Sequence, residues 1–365
     1  MHNLNPPAIA YFISYHGFGH ASRAAAVMAA LTRRLPGVRL ELFTDCPAWI
    51  FSDSLGVPFG YHPLRTDIGM VQRSPLEEDP AATVRALDAW LPWEAPRIQG
   101  LGQTVRHLNC KLIVCDISAL GLAVARQAGL PGVLVENFTW DFIYAAYFAA
   151  APGLRAHADY FQAIYPQADL RLQTEPLCRP ATGAMRVPPI ARTPRTEPAE
   201  IRWRLKIPEG APMVLLSMGG VPEQFHFLSR LPAHIDPYIV IPGADHIVSP
   251  HPKVILLPTH SRYFHPDLLQ AADLLIGKAG YSTIAEAYLT GTPFGYIPRP
   301  QSPESPALEG FIQKHLSSHP IGAEDYRQGR WLSLMPDLLN LPRRRPPEEN
   351  GAATVARLLS EAYFT

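Results

Sequence analysis

Apolar runs of strand length recur along the chain, each followed by a small-residue turn and a stretch of helical composition. Ala8–Ser14 is the first, and the turn Tyr15–His20 follows it at once. Ala21–Leu35 then reads as an alanine-rich helix stopped by Pro36-Gly37, and Val38–Thr44 alternates as a second strand. Lys111–Asp116 and Val133–Val135 are further strands, separated by the helix Ile117–Gly129, which Gly129 and Pro131 stop. A β–turn–α–β order of this kind predicts an α/β protein built on doubly wound parallel sheets. Residues 176–200 are rich in Pro, Arg and Thr and lack any period, which marks an interdomain linker. Beyond a short helix at Ala199–Leu205 the series starts again, with strands at Met213–Ser217, Tyr238–Ile241, Lys253–Leu257 and Asp273–Ile276. The last of these opens the stretch Gly277–Pro300. There a glycine turn leads to a helix over Thr283–Leu289, with Ser282 or Thr283 as its N-cap and Gly291 and Pro293 as its stop.

Two such series in 365 residues predict two domains, each large enough for its own core. The division is 1–175, a linker at 176–200, 201–348, and a closing helix within 349–365. Only 18% of the residues are charged, which excludes a disordered or highly charged interaction protein. Basic and acidic side chains balance at 32 each, so no global field draws in nucleic acid. Cys46, Cys110, Cys115 and Cys178 form no C-x-x-C pair and carry no metal-ligand spacing, so no metal site is expected. The N-terminus has neither the charge nor the apolar core of a signal peptide, and no run is long enough to span a bilayer. The expectation is a cytoplasmic protein without a transmembrane segment, of unknown oligomeric state.

Candidate chemistry gathers at the turns. A strand, a glycine turn and a helix N-terminus, as at Gly277–Thr283, form an anion site when a ligand is there and an ordinary α/β turn when none is. The first turn, Gly17-Phe18-Gly19-His20, has G-x-G without the third glycine of the dinucleotide fingerprint. Asp45 follows the second strand where such enzymes place a ribose carboxylate, so a nicotinamide enzyme competes on pattern alone. His20 sits at the start of a helix, where the dipole favours the neutral ring that a general base requires; backbone capping is the plainer role. Asp116 ends a strand, where ligands gather in open sheets, and is equally suited to capping the next helix.

The words of these turns resemble those of GT-B glycosyltransferases. Gly277–Pro300 is similar to the nucleotide-sugar signature of the peptidoglycan N-acetylglucosaminyltransferase family. HGFGHASR resembles the glycine-rich first loop of the GT-B families, while Gly277–Pro300 and the pieces DIGMVQRSPLEEDPAATVRAL and NFTWDFIY resemble the glycosyltransferase-like N-terminal domain of plant L-arabinokinases more closely still. The resemblance implies a GT-B fold, two Rossmann-like domains facing across a cleft, with the closing helix crossing back to the first. It implies an inverting, metal-independent transfer of sugar from a nucleotide-activated donor, such as a UDP-sugar, to a hydroxyl acceptor. The nucleotide-sugar is then a substrate, and no cofactor is needed. His20 becomes the base and Asp116 the carboxylate that orients it. Gly280, Tyr281 and Ser282 become diphosphate contacts, with Lys278, Gly219 and Gly220 beside them. Glu286 becomes the ribose ligand. Glu304 is the nearest equivalent of the acidic residue that grips the sugar, although the Gln usually next to it is missing. Gly17 and Gly19, with Asn137, Trp140 and Asp141, fall on the acceptor side, where the aromatics could equally pack the core. Asp67, Gly69 and Gln72 either line that side or serve as loop scaffold. A nucleotide-sugar 2-epimerase and a non-catalytic nucleotide-sugar sensor are the alternatives.

Overall fold

The computed structural model describes residues 7–364 except 75, 221, 222, 224, 245–247, 250, 347 and 348. The chain divides into two units. The first comprises Met1–Val71, Glu78–Ala191 and Glu349–Thr365, and the second Gln72–Glu77 and Arg192–Glu348.

The strands of the first unit are β1 (Ala8–Ile13), β2 (Arg39–Thr44) and β3 (Gly60–Pro63). After a short ribbon, β4 (Gln72–Ser74) and β5 (Glu77–Glu78), come β6 (Cys110–Asp116), β7 (Gly132–Glu136), β8 (Leu170–Thr174) and β9 (Met185–Val187). Seven of them form one parallel sheet in the order β3-β2-β1-β6-β7-β8-β9. All six residues of β1 are buried, as a strand covered on both faces requires. The chain winds from β1 outward to β3 and then returns to lay β6 on the other side of β1. The β1–β6 junction is therefore the topological switch point, and Ile13 pairs there with Asp116. The helix Gly19–Arg34 packs its alanine face on this sheet, and the helix Gly351–Tyr363 packs beside it through Val355, Ala356 and Leu359. Arg34 Nε donates to Ser360 Oγ at 2.6 Å at the edge of that contact.

The second unit repeats the plan with β10 (Met213–Ser217), β11 (Tyr238–Pro242), β12 (Val254–Leu257), β13 (Leu274–Lys278), β14 (Phe294–Ile297) and β15 (Ser318–Pro320). Its parallel order is β12-β11-β10-β13-β14-β15, with the switch point between β10 and β13. Alternate residues feed two cores. Met213, Leu215 and Leu275 face one helix layer, and Val214, Leu216, Leu274 and Ile276 the other. Among the described residues, no helix is long and apolar enough to cross a membrane.

Two expectations change. The stretch 176–200 is not a bare linker, because Met185–Val187 pairs with β8 and Glu175 N–H reaches Val187 O at 3.1 Å. Three residues are too few to show a period. The helix expected from Thr283 starts at Tyr281, with Gly280 in extended conformation as its N-cap and no side-chain cap. Ser282 is therefore inside the first turn.

The switch point of the second sheet depends on a close approach. A Cβ on Gly277 would lie 2.1 Å from the carbonyl oxygen of Ser217, and both groups are backbone in adjacent strands. Gly277→Ala is expected to cost about 1–3 kcal/mol or more, as overpacking does. Gly310→Ala, in an exposed helical position with nothing within 4 Å, should gain up to about 1 kcal/mol. Urea denaturation of the two variants checks the pair.

Candidate functional site

The first cluster lies at the switch point of the first sheet. Gly17 takes φ +72°, which turns the chain from β1 into the helix Gly19–Arg34, with Gly19 as its first residue and His20 as its second. His20 Nδ1 lies 2.8 Å from Oδ1 of Asp116, the last residue of β6. Arg23, one turn along the same helix, grips Asp116 with two bonds, Nε to Oδ2 at 2.8 Å and Nη2 to Oδ1 at 2.6 Å. Its remaining nitrogen donates to Asn137 Oδ1. Burial alone would raise the Asp116 carboxyl. The Arg23 charge and the hydrogen bonds from His20 and Arg23 outweigh it and hold the group below the usual carboxylate range.

An ionised Asp116 can only accept, so Nδ1 of His20 carries a hydrogen, and in the neutral ring the lone pair is then on Nε2. Arg23 Nη2 is also 3.2 Å from Nδ1, which is the spacing of two donors that share Oδ1. Just after Asp116, Ile117 takes φ +48°, a left-handed conformation that a β-branched residue adopts only under constraint. The constraint is visible: Ile117 N–H donates to Val135 O at 3.2 Å, and its carbonyl accepts from Tyr165 Oη at 2.9 Å.

The residues expected on the acceptor side are mostly structural here. Asn137 is 2% exposed, and its amide nitrogen is taken by the carbonyls of Thr174 and Pro176 at 2.7 and 2.9 Å. Trp140 is 1% exposed and donates to Asp67 Oδ2 at 2.9 Å. Asp141 pairs with Arg179 at 2.6 Å. A surface for stacking a sugar on Trp140 is therefore not present; its ring packs against Phe138, which in turn meets the His20 ring edge-on at 5.9 Å. Asp67 Oδ2 also accepts from Ser14 Oγ, while Oδ1 has no partner among the described residues. Burial raises its carboxyl, and those two hydrogen bonds offset that only in part. Gln72 opens β4, in the second unit.

The second cluster lies at the switch point of the second sheet. Gly219 and Gly220, directly after β10, take φ +76° and +80°. The Lys278 side chain passes beside Gly219, its Cε 3.6 Å from where a Cβ would stand. Across the switch point, Gly280 is the N-cap of the helix Tyr281–Thr290 and, being glycine, brings no side chain of its own to the first-turn amides. Tyr281 and Ser282 are half-buried there. Glu304 accepts from Arg299 at 2.9 Å and from Ser302 at 3.1 Å.

Glu286 has partners within its own unit. It is 2% exposed, with Oε1 on Arg192 Nε and Oε2 on His265 Nδ1, both at 2.9 Å. Burial raises its carboxyl, but Arg192 and His265 outweigh burial and hold it below its usual value. A helical Glu in the sequence does not disclose which cations the fold will fold over it.

Sequence reasoning missed Arg23, Arg192 and His265. Arg23 alone carried a signal, because its i+3 spacing from His20 puts both on one helix face. Arg192 and His265 come from distant segments, and nothing local marks them.

Removing Arg23 would leave Asp116 ionised and unpaired in the interior. Arg23→Met is expected to cost about 3–5 kcal/mol in chemical denaturation. Asp116 and Glu286 both have folded values below their unfolded ones. Their contribution is present above about pH 4 and is lost as pH falls through the folded values. Stability measured against pH should therefore fall on the acid side, and less steeply in Glu286→Gln than in the wild type.

Residues 256–306 match the glycosyltransferase family 28 C-terminal domain, a span that runs from β12 through Gly280, Glu286 and Glu304. The chain is 26% identical over 358 residues to L-arabinokinase of Arabidopsis thaliana, covering 96% of this chain and 34% of that protein. It thus spans about a third of the length of the curated relative it matches. Among solved structures it is similar to the glycotransferase of kitacinnamycin, with a TM-score of 0.66 at 17% identity over 98% of this chain and 99% of that one. It is also similar to MurG of Acinetobacter baumannii, with a TM-score of 0.57 at 15% identity over 98% and 100%. With parallel α/β sheets in both units and this family segment at the second switch point, the chain has the GT-B fold of the glycosyltransferases and is similar along nearly its whole length to about a third of L-arabinokinase.

Proposed function

We propose that the protein transfers a sugar from a nucleotide-activated donor to a hydroxyl acceptor, with inversion. The observation that carries this reading is the His20–Asp116 contact at 2.8 Å, at the switch point of a sheet with this fold. With Nδ1 committed to Asp116, Nε2 takes the proton of the acceptor hydroxyl. The hydroxyl oxygen forms its bond to the anomeric carbon as the bond to the diphosphate breaks, and the nucleoside diphosphate leaves with the electron pair. Arg23 and Asp116 hold the imidazole in one tautomer and one orientation, as a buried carboxylate does in other base-assisted sites.

The second unit carries groups complementary to a diphosphate. The first turn of the helix Tyr281–Thr290, the Gly219-Gly220 turn and the Lys278 side chain offer the complementary charge. Glu304, oriented by Arg299 and Ser302, offers a carboxylate to sugar hydroxyls. Glu286 orients His265 beside this site. The competing dinucleotide reading has little left to rest on, since Asp45 is held by Arg65 at 3.5 Å and the family segment lies in the other unit.

Thermal shift against a panel of nucleoside diphosphate sugars identifies the donor, because a ligand of the native state raises its stability. With that donor, His20→Ala is expected to lose about 100-fold or more in nucleoside diphosphate release while the ligand-induced shift persists. Undiminished release by His20→Ala would sink the assignment of the base. Donor binding with no turnover in the wild type would favour a sensor, and epimerised donor without acceptor a 2-epimerase.

A further inference from the structure

We propose that the second unit carries a further ligand site, for a sugar bearing an anionic group, at the end of its sheet opposite the glycine turns. The proposal does not rest on the donor-site reading. Ile201, on the helix Pro198–Arg204, and Leu205, just past its end, are four positions apart and both buried in the core. Trp203 lies two positions from each, so its indole faces away from that core, and it is 77% exposed. The other five tryptophans are buried or half-buried. An open cavity of about 750 Å³, the size of a small-molecule site, lies against this indole, and all the residues lining it belong to the second unit.

Two of the arginines that line the cavity are structural. Arg202 donates to the carbonyls of Ala271 and Ala211 at 2.9 and 2.8 Å and to Asp273 at 2.6 Å. Arg343 donates to the carbonyls of Gln270 and Ala272. Both therefore satisfy carbonyls at the C-terminus of the helix His265–Ala271. Arg345 is different. It lines the same cavity, is exposed, and has no hydrogen-bond or ion-pair partner among the described residues. Its stem packs beside Gly291, with Cγ 2.8 Å from where a Cβ would stand. Three guanidinium groups meet two carboxylates in the lining, and one of those, Asp273, is already spent on Arg202. The crowding is felt at Arg343: burial, joined by the charges of Arg345 and Arg202, holds its guanidinium below the usual value, and Asp273 offsets this only in part.

The groups left over specify the ligand. An exposed indole offers its face to a ring, and an uncommitted guanidinium offers its fork to a carboxylate or phosphate. Glu209, also in the lining and exposed, accepts hydrogen bonds from hydroxyls and disfavours a bare anion. One ring, one acidic group and free hydroxyls together describe a sugar phosphate or a sugar acid. Position separates this site from the glycine turns. Ala211 stands two residues before β10 and Asp273 directly before β13, and Met213 N–H donates to Asp273 at 2.8 Å. Gly219 and Gly280 follow the other ends of these five-residue strands, about 16 Å along the sheet.

The test is isothermal titration of the wild-type protein with glucose 6-phosphate and glucuronic acid, with glucose and inorganic phosphate as controls. At least one of the two anionic sugars should bind, and the emission of the exposed indole should shift to shorter wavelength as it does. Trp203→Ala should weaken that binding about tenfold or more, and so should Arg345→Met, which keeps the stem beside Gly291. Both side chains are exposed, so both variants should fold as the wild type does. Lys278→Met, at the glycine turns, should bind the same sugar unchanged. Binding of glucose 6-phosphate alone identifies a phosphate ester as the ligand, and binding of glucuronic acid alone a sugar acid. The proposal is overturned if neither binds, or if glucose or inorganic phosphate binds as tightly. Binding that survives both substitutions also overturns it, as does binding lost in Lys278→Met and kept in Arg345→Met.

Discussion

A carboxylate buried at the end of a parallel strand has to be neutralised where it stands, and Asp116 is neutralised by Arg23. Everything at the carboxyl end of the first sheet follows from that pairing. The guanidinium fixes the carboxylate with two bonds, the carboxylate fixes the imidazole of His20, and the remaining guanidinium nitrogen reaches Asn137. Asn137 in turn ties down the carbonyls of Thr174 and Pro176. Such ion pairs add little net stability over a well-packed apolar core, because desolvation consumes most of the attraction. Their value is positional: each member has one place in which the charges balance.

The second unit solves the same problem with the same three groups. Glu286 is buried, held by an arginine on one oxygen and by the Nδ1 of a histidine on the other, and its carboxyl is depressed as that of Asp116 is. In one unit the histidine and arginine come from a single helix turn, in the other from two separated segments. The geometry converges although the connectivity does not, and in both cases the carboxylate orients an imidazole.

Much of this fold was legible because buried parallel strands announce themselves. Ala8–Ser14 and Met213–Ser217 are continuous apolar runs with small-residue turns behind them, and the strands fall there within a residue. Short edge strands such as Met185–Val187 were not legible, since their pairing is decided by a neighbour and not by their own period. The contact between His20 and Asp116, 96 positions apart, could be anticipated because both sit at strand ends that a doubly wound sheet brings together. Glu286 could be placed on its helix but not given its partners. Arg192 and His265 reach it over 94 and 21 positions, and no local pattern encodes such distances. Trp140 and Asn137 read as a polar-aromatic surface, yet the same composition also makes a satisfied buried network, and the fold uses it that way.

The division of the chain into units bears on how the protein is made. The first unit is assembled from three separate segments, while nearly all of the second is one continuous stretch, Arg192–Glu348, threaded between them. The alanine face of Gly19–Arg34 has its partner in Gly351–Tyr363, near the far end of the sequence. During vectorial synthesis the second unit can close on itself as soon as it emerges, whereas the first must wait with an apolar helix face uncovered until the last helix arrives. On the ribosome the helix layer begun first is thus the one covered last.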